Sequence, residues 1–124
     1  MIEIAHRGNR TGRNLSKENH PEYIEAAIEE GFYVEIDVWY EGDNYYLGHD
    51  RADHLISENF LRNSKLICHA KNIEALHKML AIRPKIHCFW HEGDYCSLTS
   101  KGWIWKFPEV YNKGRLIGIC SDRF

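Results

Sequence analysis

The chain has 124 residues, a length typical of one domain with a modest hydrophobic core. Its 16 Lys and Arg residues nearly balance its 18 Asp and Glu residues, and nothing in the net charge of -2 indicates the strongly basic surface that binds nucleic acid or anionic membranes. The opening residues MIEIAHRG lack the long apolar run of a signal peptide or a membrane span, so we expect a soluble, cytoplasmic protein without membrane insertion. Since no repeat or linker interrupts the sequence, residues 1–124 are predicted to form a single domain.

The beginning of the chain predicts a strand, a loop and a helix. Residues 2–7 have the pattern of a short strand, and the following sequence RGNRTGRN contains glycines that would let a ligand approach the backbone. Pro21 suits the first position of a helix, and Gly31 is a typical helix end. We therefore expect a helix between these two residues.

The next segment predicts a β-hairpin. Residues 33–40 alternate strictly, which places Glu35 and Asp37 on one face of a strand, with Tyr33 and Trp39. The aliphatic residues Val34, Ile36 and Val38 lie on the other face. Residues 45–48 predict a second, shorter strand, and the sequence EGDN between the two is suited to a turn.

The remainder predicts one more helix among short strands at 65–71, 86–91, 103–107 and 116–120. The helix is expected over 72–82, with Asn72 as its cap and with four inward-facing apolar residues, Ile73, Leu76, Met79 and Leu80. Strand followed by helix and strand indicates an α/β fold with a largely parallel sheet. Because a closed (β/α)₈ barrel needs about 200 residues or more, we expect a shortened or incomplete TIM-type (β/α) barrel.

Glu35 and Asp37 are candidate metal ligands. Side chains two apart on a strand project from the same face, and two neighbouring carboxylates repel unless a positive group lies between them. A hard divalent cation bound by oxygen ligands, such as Mg²⁺ or Ca²⁺, would relieve that repulsion. The alternative is a strand whose two acids face water.

His6, Arg7 and His49 are candidates for phosphodiester chemistry. His6 and Arg7 lie where the first predicted strand enters a loop, and His49 follows the hairpin beside Asp50. Histidine can exchange a proton near neutral pH, and arginine presents a fixed positive fork to phosphate. Cleavage of a phosphodiester needs one group to take a proton and another to give one, which two histidines could supply. Each histidine could instead only hydrogen-bond its loop.

Four short sequence elements follow one another in the first fifty residues: IAHRG, Glu18-Asn19, EIDVW and LGHD. In order and spacing they resemble the HRG, PEN, ExDV and HD elements of the glycerophosphodiester phosphodiesterase family, although Lys17 replaces the usual proline. The resemblance implies that Glu35 and Asp37 bind the metal, that His6 and His49 are the general acid/base pair, and that Arg7 binds phosphate. It also implies supporting roles for Glu18 and Asn19.

A later segment carries a departure from that family. The family usually has Glu-x-Lys where this chain has His69-Ala70-Lys71, so the resemblance implies a phosphate-binding role for Lys71 and makes His69 the third metal ligand. The two carboxylates favour Mg²⁺ or Ca²⁺ as the cofactor. Mn²⁺ is the alternative, because the His69 imidazole can bind Mn²⁺ or Zn²⁺ but suits the harder cations poorly.

The resemblance implies a metal-dependent phosphodiester hydrolase that acts on small glycerophosphodiester-like substrates, in lipid metabolism, and not on nucleic acid. The alternative function is a weak or inactive phosphate-binding protein that keeps the phosphate cradle. A third hypothesis is a homo-oligomer, in which a partner covers strand edges that a shortened barrel leaves exposed. His91 and the aromatic run at 103–107 could line the same pocket or only fill the core.

Overall fold

Short strands separated by tight turns build most of this protein. The computed structural model describes residues 1–122, and within them lie two α-helices, α1 (Pro21–Glu29) and α2 (Ile73–Ala81), and a 3₁₀ turn at Glu58–Arg62. The strands are β1 (Ile2–His6), β2 (Tyr33–Glu41), β3 (Asn44–Leu47), β4 (His54–Ile56), β5 (Leu66–Ala70), β6 (Cys88–Trp90), β7 (Ser97–Leu98), β8 (Trp103–Lys106), β9 (Glu109–Asn112) and β10 (Arg115–Cys120).

All the strands belong to one curled sheet with a parallel centre. Strands β10, β1, β2, β5 and β6 are neighbours in that order, and each pair is parallel. The hairpin of β3 and β4 extends antiparallel from the second half of β2, and β9, β8 and β7 continue antiparallel from β10. The sheet curls so far that the Ser100 amide, just after β7, donates a hydrogen bond of 2.8 Å to the Cys88 carbonyl in β6.

The two faces of the curled sheet bury different cores. On the outer face, Val34, Ile36 and Val38 of β2 pack with Ala27 of α1 and Met79 of α2. On the inner face, a smaller aromatic and aliphatic cluster fills the curl, formed by Ile4, Ile67, Phe89, Trp105, Val110 and Cys120. The strict alternation of β2 therefore reflects a strand that is buried on both faces, and its acidic residues point into the curl.

The expected shortened TIM-type (β/α) barrel is wrong. The protein is a curled, mixed β-sheet half-barrel in which only 19% of the chain is helical, without the helix after each strand that a (β/α) barrel requires. The difference arises after residue 90, where the connections are too short to hold a crossover helix. Short connections join antiparallel neighbours, so this part of the chain forms a meander and not further strand–helix units.

Helix α2 begins where the sequence predicts but buries a narrower face than expected. The Asn72 side chain accepts a hydrogen bond of 3.0 Å from the Ala75 amide, which confirms it as the cap. Met79 is buried and Leu76 packs half-buried against the core, as predicted. Ile73 and Leu80 are 52% and 47% exposed, so their predicted inward orientation is wrong, and Ala75 is buried in addition. No helix within residues 1–122 is long and apolar enough to cross a membrane.

Candidate functional site

The carboxyl ends of the parallel strands bring the candidate residues together. The register pairs His6 of β1 with Glu35 of β2, and Asp37 of β2 with His69 of β5. Residues two apart on a strand share a face, so all four side chains project into the curl. In open and closed parallel sheets, this edge is the usual location of ligand sites.

Glu35, Asp37 and His69 form a cluster that could hold a metal ion. Each offers one ligand atom, and these atoms lie within 4.8 Å of one another. His69 Nδ1 lies 3.2 Å from Asp37 Oδ1 and 3.6 Å from Glu35 Oε2. Both acids are 1% exposed, and Glu35 Oε1 is buried without a hydrogen-bond partner within residues 1–122. A buried, unpartnered carboxylate oxygen beside an imidazole nitrogen fits a divalent cation.

Two contacts fix the His69 ring. His69 Nε2 lies 3.0 Å from the His91 carbonyl, which can only accept, so this nitrogen carries a proton. The ring stacks on Phe89 with centroids 4.9 Å apart. Burial lowers the pKa of His69, but hydrogen bonds and charge from Asp37 and Glu35 outweigh it and raise the pKa to about 9. Without a cation, a positive imidazolium therefore separates the two carboxylates.

Asn19 and Arg7 hold the other side of Asp37. The Asn19 side-chain NH₂ donates a hydrogen bond of 2.9 Å to Asp37 Oδ2. The Asn19 side-chain oxygen accepts a hydrogen bond of 3.0 Å from the Asp37 backbone amide. Arg7 Nε lies 3.4 Å from the same Oδ2. Burial raises the pKa of Asp37, but hydrogen bonds from His69 and Asn19 more than compensate and keep this pKa below its usual value. The carboxyl group is therefore ionised at neutral pH.

Glu18 anchors the loop that follows β1. Its Oε1 accepts a hydrogen bond of 3.2 Å from Arg7, and its Oε2 accepts one of 2.9 Å from Asn9. Arg7 has φ +58, a left-handed conformation that non-glycine residues adopt infrequently. Its backbone amide donates a hydrogen bond of 2.7 Å to the Glu35 carbonyl. The Glu18 contacts and this backbone bond together hold the guanidinium beside the acidic cluster.

His6 is oriented by an aspartate that the sequence-based prediction did not include in the site. His6 Nδ1 donates a hydrogen bond of 3.0 Å to Asp122 Oδ2, and His6 Nε2 lies 3.5 Å from Glu35 Oε1. Burial lowers the pKa of His6, but the charge of Glu35 and the Asp122 hydrogen bond outweigh it, so the pKa is raised. The ring also packs on Phe107, with centroids 4.7 Å apart. The imidazole therefore has one fixed nitrogen and one that faces the cluster.

His49 and Lys71 border the same cavity at a greater distance from the acids. The His49 side chain is 43% exposed, and its Nδ1 lies 2.9 Å from Asp50 Oδ1. Lys71 lines the cavity beside His69. Within residues 1–122, neither His49 nor Lys71 forms an ion pair with Glu35 or Asp37, whereas His69 pairs with both. Of the predicted residues, the structure thus brings seven into direct contact, His6, Arg7, Glu18, Asn19, Glu35, Asp37 and His69, and leaves His49 and Lys71 at the rim.

The cavity above the cluster has a volume of about 720 Å³ and an aromatic wall. The wall is formed by Trp90, His91, Trp105 and Phe107. His91 and part of the aromatic run at 103–107 therefore line the pocket, which was one of the two expected roles, the other being to fill the core. Trp103 differs, because it packs against Tyr33 and His87. Arg13 adds a further positive charge to the wall.

Two buried polar residues of the site were missed in the sequence. Asp122 follows the apolar strand LIGIC, so its place at the end of a strand was a usable signal once β10 is paired with β1. Asn9 is fully buried and donates to both Glu18 and Asp122, but an asparagine in a polar glycine-containing loop is not distinctive in sequence.

No family model matches the chain, and neither the curated proteins nor the solved structures contain a significant match. The resemblance to glycerophosphodiester phosphodiesterases therefore stays a prediction that depends on the quoted motifs. The expected TIM barrel is wrong, and neither the structure nor the comparisons support the expected role in lipid metabolism.

Proposed function

We propose that this protein is a metal-dependent phosphodiester hydrolase that acts on small glycerophosphodiester-like substrates. The observation that supports it most is the convergence of Glu35, Asp37 and His69 on one point, with His6 beside them in the same cavity. A cation held by the three ligands would neutralise charge on the substrate phosphate.

The charges around the cavity suit a small anionic ester. Arg7, Arg13 and Lys71 line the wall and can bind phosphate oxygens, while the aromatic residues offer an apolar surface to the rest of the substrate. The buried acids Glu35 and Asp37 would repel such an anion without a cation, so substrate binding should depend on the metal.

His6 is the proposed proton-transfer group nearest the cluster. Its Nδ1 is held by Asp122, which leaves Nε2 to take a proton from an attacking hydroxyl or water. His49, at the rim, would give a proton to the departing alcohol from the solvent-exposed side of the cavity. The two histidines thus border the same cavity, as general acid–base catalysis requires.

A phosphate-binding protein without turnover is the second candidate. The observation that favours it is that Arg7 is already engaged by Glu18 and Asp37, while His49 is paired with Asp50 and not with the cluster. Such a site could bind a metal and phosphate without the second proton-transfer group in place.

Hydrolysis of bis(p-nitrophenyl) phosphate and of a glycerophosphodiester, with and without divalent cations, tests the two candidates. We expect metal-dependent turnover that His6→Ala reduces by roughly 100-fold or more, in line with general acid–base contributions of about 10²–10⁴. Glu35→Gln, which removes a charged metal ligand, should also reduce turnover and weaken its dependence on the cation. His77→Ala and Glu74→Gln, both exposed on α2, are matched controls that should keep wild-type rates. No turnover with any cation would contradict the hydrolase, and metal-dependent binding of inorganic phosphate in that case would support the binding protein.

A further inference from the structure

We propose that His69 makes the candidate metal centre selective for Mn²⁺ and similar transition-metal cations over Mg²⁺ and Ca²⁺. This inference deepens the proposed function, since it concerns the cation of the same site, but it can be tested by binding alone. It differs from the expectation of Mg²⁺ or Ca²⁺ that the two acids suggest by themselves.

The His69 ring is already oriented as a nitrogen ligand. The His91 carbonyl accepts from Nε2 at 3.0 Å, so in the neutral ring Nδ1 carries the lone pair. That nitrogen faces Asp37 Oδ1 at 3.2 Å and Glu35 Oε2 at 3.6 Å. A ligating histidine typically donates its other N–H to a carbonyl or carboxylate in this way, which fixes its tautomer and increases its basicity. Stacking on Phe89 restricts rotation of the ring out of this position.

The oxygen ligands of the cluster are few for a calcium site. Ca²⁺ binds about six to eight oxygens, whereas the cluster provides two carboxylates. Asp37 Oδ2 already accepts from Asn19 at 2.9 Å, so Asp37 presents mainly Oδ1 to a cation. The only unpartnered carboxylate oxygens that the described residues bury here are Glu35 Oε1 and Asp122 Oδ1, and the latter residue holds His6.

The mixed ligand set favours a cation that accepts nitrogen. Mg²⁺ prefers oxygen ligands in near-ideal octahedral geometry and gives up its water reluctantly, so a fixed imidazole offers it little. Imidazole suits Fe²⁺, Ni²⁺, Cu²⁺ and Zn²⁺ best, and Mn²⁺ binds least tightly in this first-row series. Mn²⁺ is nevertheless a transition-metal cation that accepts a nitrogen ligand more readily than Mg²⁺ or Ca²⁺. His69 should therefore increase the affinity for Mn²⁺ much more than the affinity for Mg²⁺.

Metal titrations of wild type and of His69→Glu measure this contribution. Calorimetric dissociation constants for Mn²⁺, Mg²⁺ and Ca²⁺ give a preference for each protein, and we expect wild type to favour Mn²⁺ over Mg²⁺ by about tenfold or more. His69→Glu should lower that ratio at least about tenfold, whereas His77→Glu, the same change at an exposed position of α2, should leave it unchanged. An unchanged ratio in His69→Glu, or wild-type affinities for Mg²⁺ and Mn²⁺ that are equal, would overturn the proposal.

Pulsed electron paramagnetic resonance of Mn²⁺ bound to the wild-type protein provides a readout that does not depend on the folding of a variant. We expect modulation from a directly coordinated ¹⁴N nucleus, and its absence would overturn the proposal. Nitrogen-coordinated Mn²⁺ in a protein without hydrolytic turnover would support the selectivity and contradict the hydrolase. Equal turnover with Mg²⁺ and with Mn²⁺, without nitrogen coupling, would support the hydrolase and contradict the selectivity.

Discussion

His6 and Asp122 lie 116 positions apart in the sequence, yet His6 Nδ1 donates a hydrogen bond of 3.0 Å to Asp122 Oδ2. The contact follows from the parallel pairing of β1 with β10, in which Ile4 is opposite Cys120. The residues two positions later in each segment, His6 and Asp122, therefore lie side by side at the same edge of the sheet. The charge of Asp122 and the hydrogen bond both stabilise the protonated imidazole.

Asp122→Asn should lower the pKa of His6, since the amide removes the negative charge and one of the causes that raise this pKa. Titration of the imidazole by nuclear magnetic resonance measures the shift directly. If His6 transfers protons, kcat/KM should fall by roughly 10- to 100-fold, less than for loss of the whole proton-transfer group. Asp50→Asn, which changes the partner of the exposed His49, should leave the His6 titration unaltered. An unshifted His6 titration in Asp122→Asn would contradict the positioning role.

Metal binding should release a proton from His69. The pKa of His69 is raised to about 9, so in the metal-free protein at neutral pH Nδ1 carries a proton that a cation must displace. The affinity for a divalent cation should therefore increase as the pH rises toward about 9. Calorimetry in buffers of different ionisation enthalpy counts the protons released, and we expect about one fewer for His69→Gln than for wild type. Equal proton release by both proteins would show that another group is displaced.

The buried imidazole of His87 should make the fold less stable in acid. Burial, and then the charges of Lys101 and Lys85, lower the pKa of His87 from 6.5 to about 4. Between these two values the unfolded chain binds a proton that the folded protein does not, so the free energy of unfolding falls as the pH falls, by up to about 3 kcal/mol.

Urea denaturation at about pH 7 and about pH 5 tests the His87 effect. His87→Gln should show a smaller loss of stability between these pH values than wild type. His77→Gln, at an exposed position on α2, should lose as much as wild type. A pH dependence that is the same in all three proteins would rule out His87 as its source.

Gly48 is required by the loop that carries His49. A Cβ at this position would clash with the Arg51 carbonyl, and the Gly48 carbonyl accepts a hydrogen bond of 2.6 Å from the Trp39 indole. Gly48→Ala should therefore destabilise the protein by about 1–3 kcal/mol, as overpacking of a tight site does. Thermal denaturation would measure the loss, and Gly93→Ala, where a Cβ meets no atom within 4 Å, should have little effect. Equal stability of the two variants would contradict this account of the loop.

Local pattern was sufficient to predict the parts of the site that depend on neighbouring residues. The strict alternation around Glu35 and Asp37 correctly placed both acids on one face of β2, and the Asn72 cap was identified from residue type and position alone. These features arise from strand periodicity and from a hydrogen bond to the first turn of a helix, both of which a short sequence window contains.

The features that depend on distant pairing could not be predicted in the same way. Asp122 joins the site only because β10 returns beside β1, and a sequence window around it shows only the end of an apolar strand. The inward face of α2 was placed too far toward Ile73 and Leu80, because the helix buries a narrow stripe centred on the small residue Ala75 and on Met79. The expected barrel failed since the segment after β6 pairs antiparallel, which hydrophobic pattern alone does not distinguish from parallel pairing.

The central claim is that Glu35, Asp37 and His69 together hold a divalent cation at the edge of the curled sheet. Anomalous scattering from crystals of the protein soaked in Mn²⁺ tests it most directly, because the metal position is located without reference to activity. We predict one strong peak in contact with Glu35, Asp37 and His69 Nδ1. A map with no peak there, or with its strongest peak at other residues, would contradict the claim.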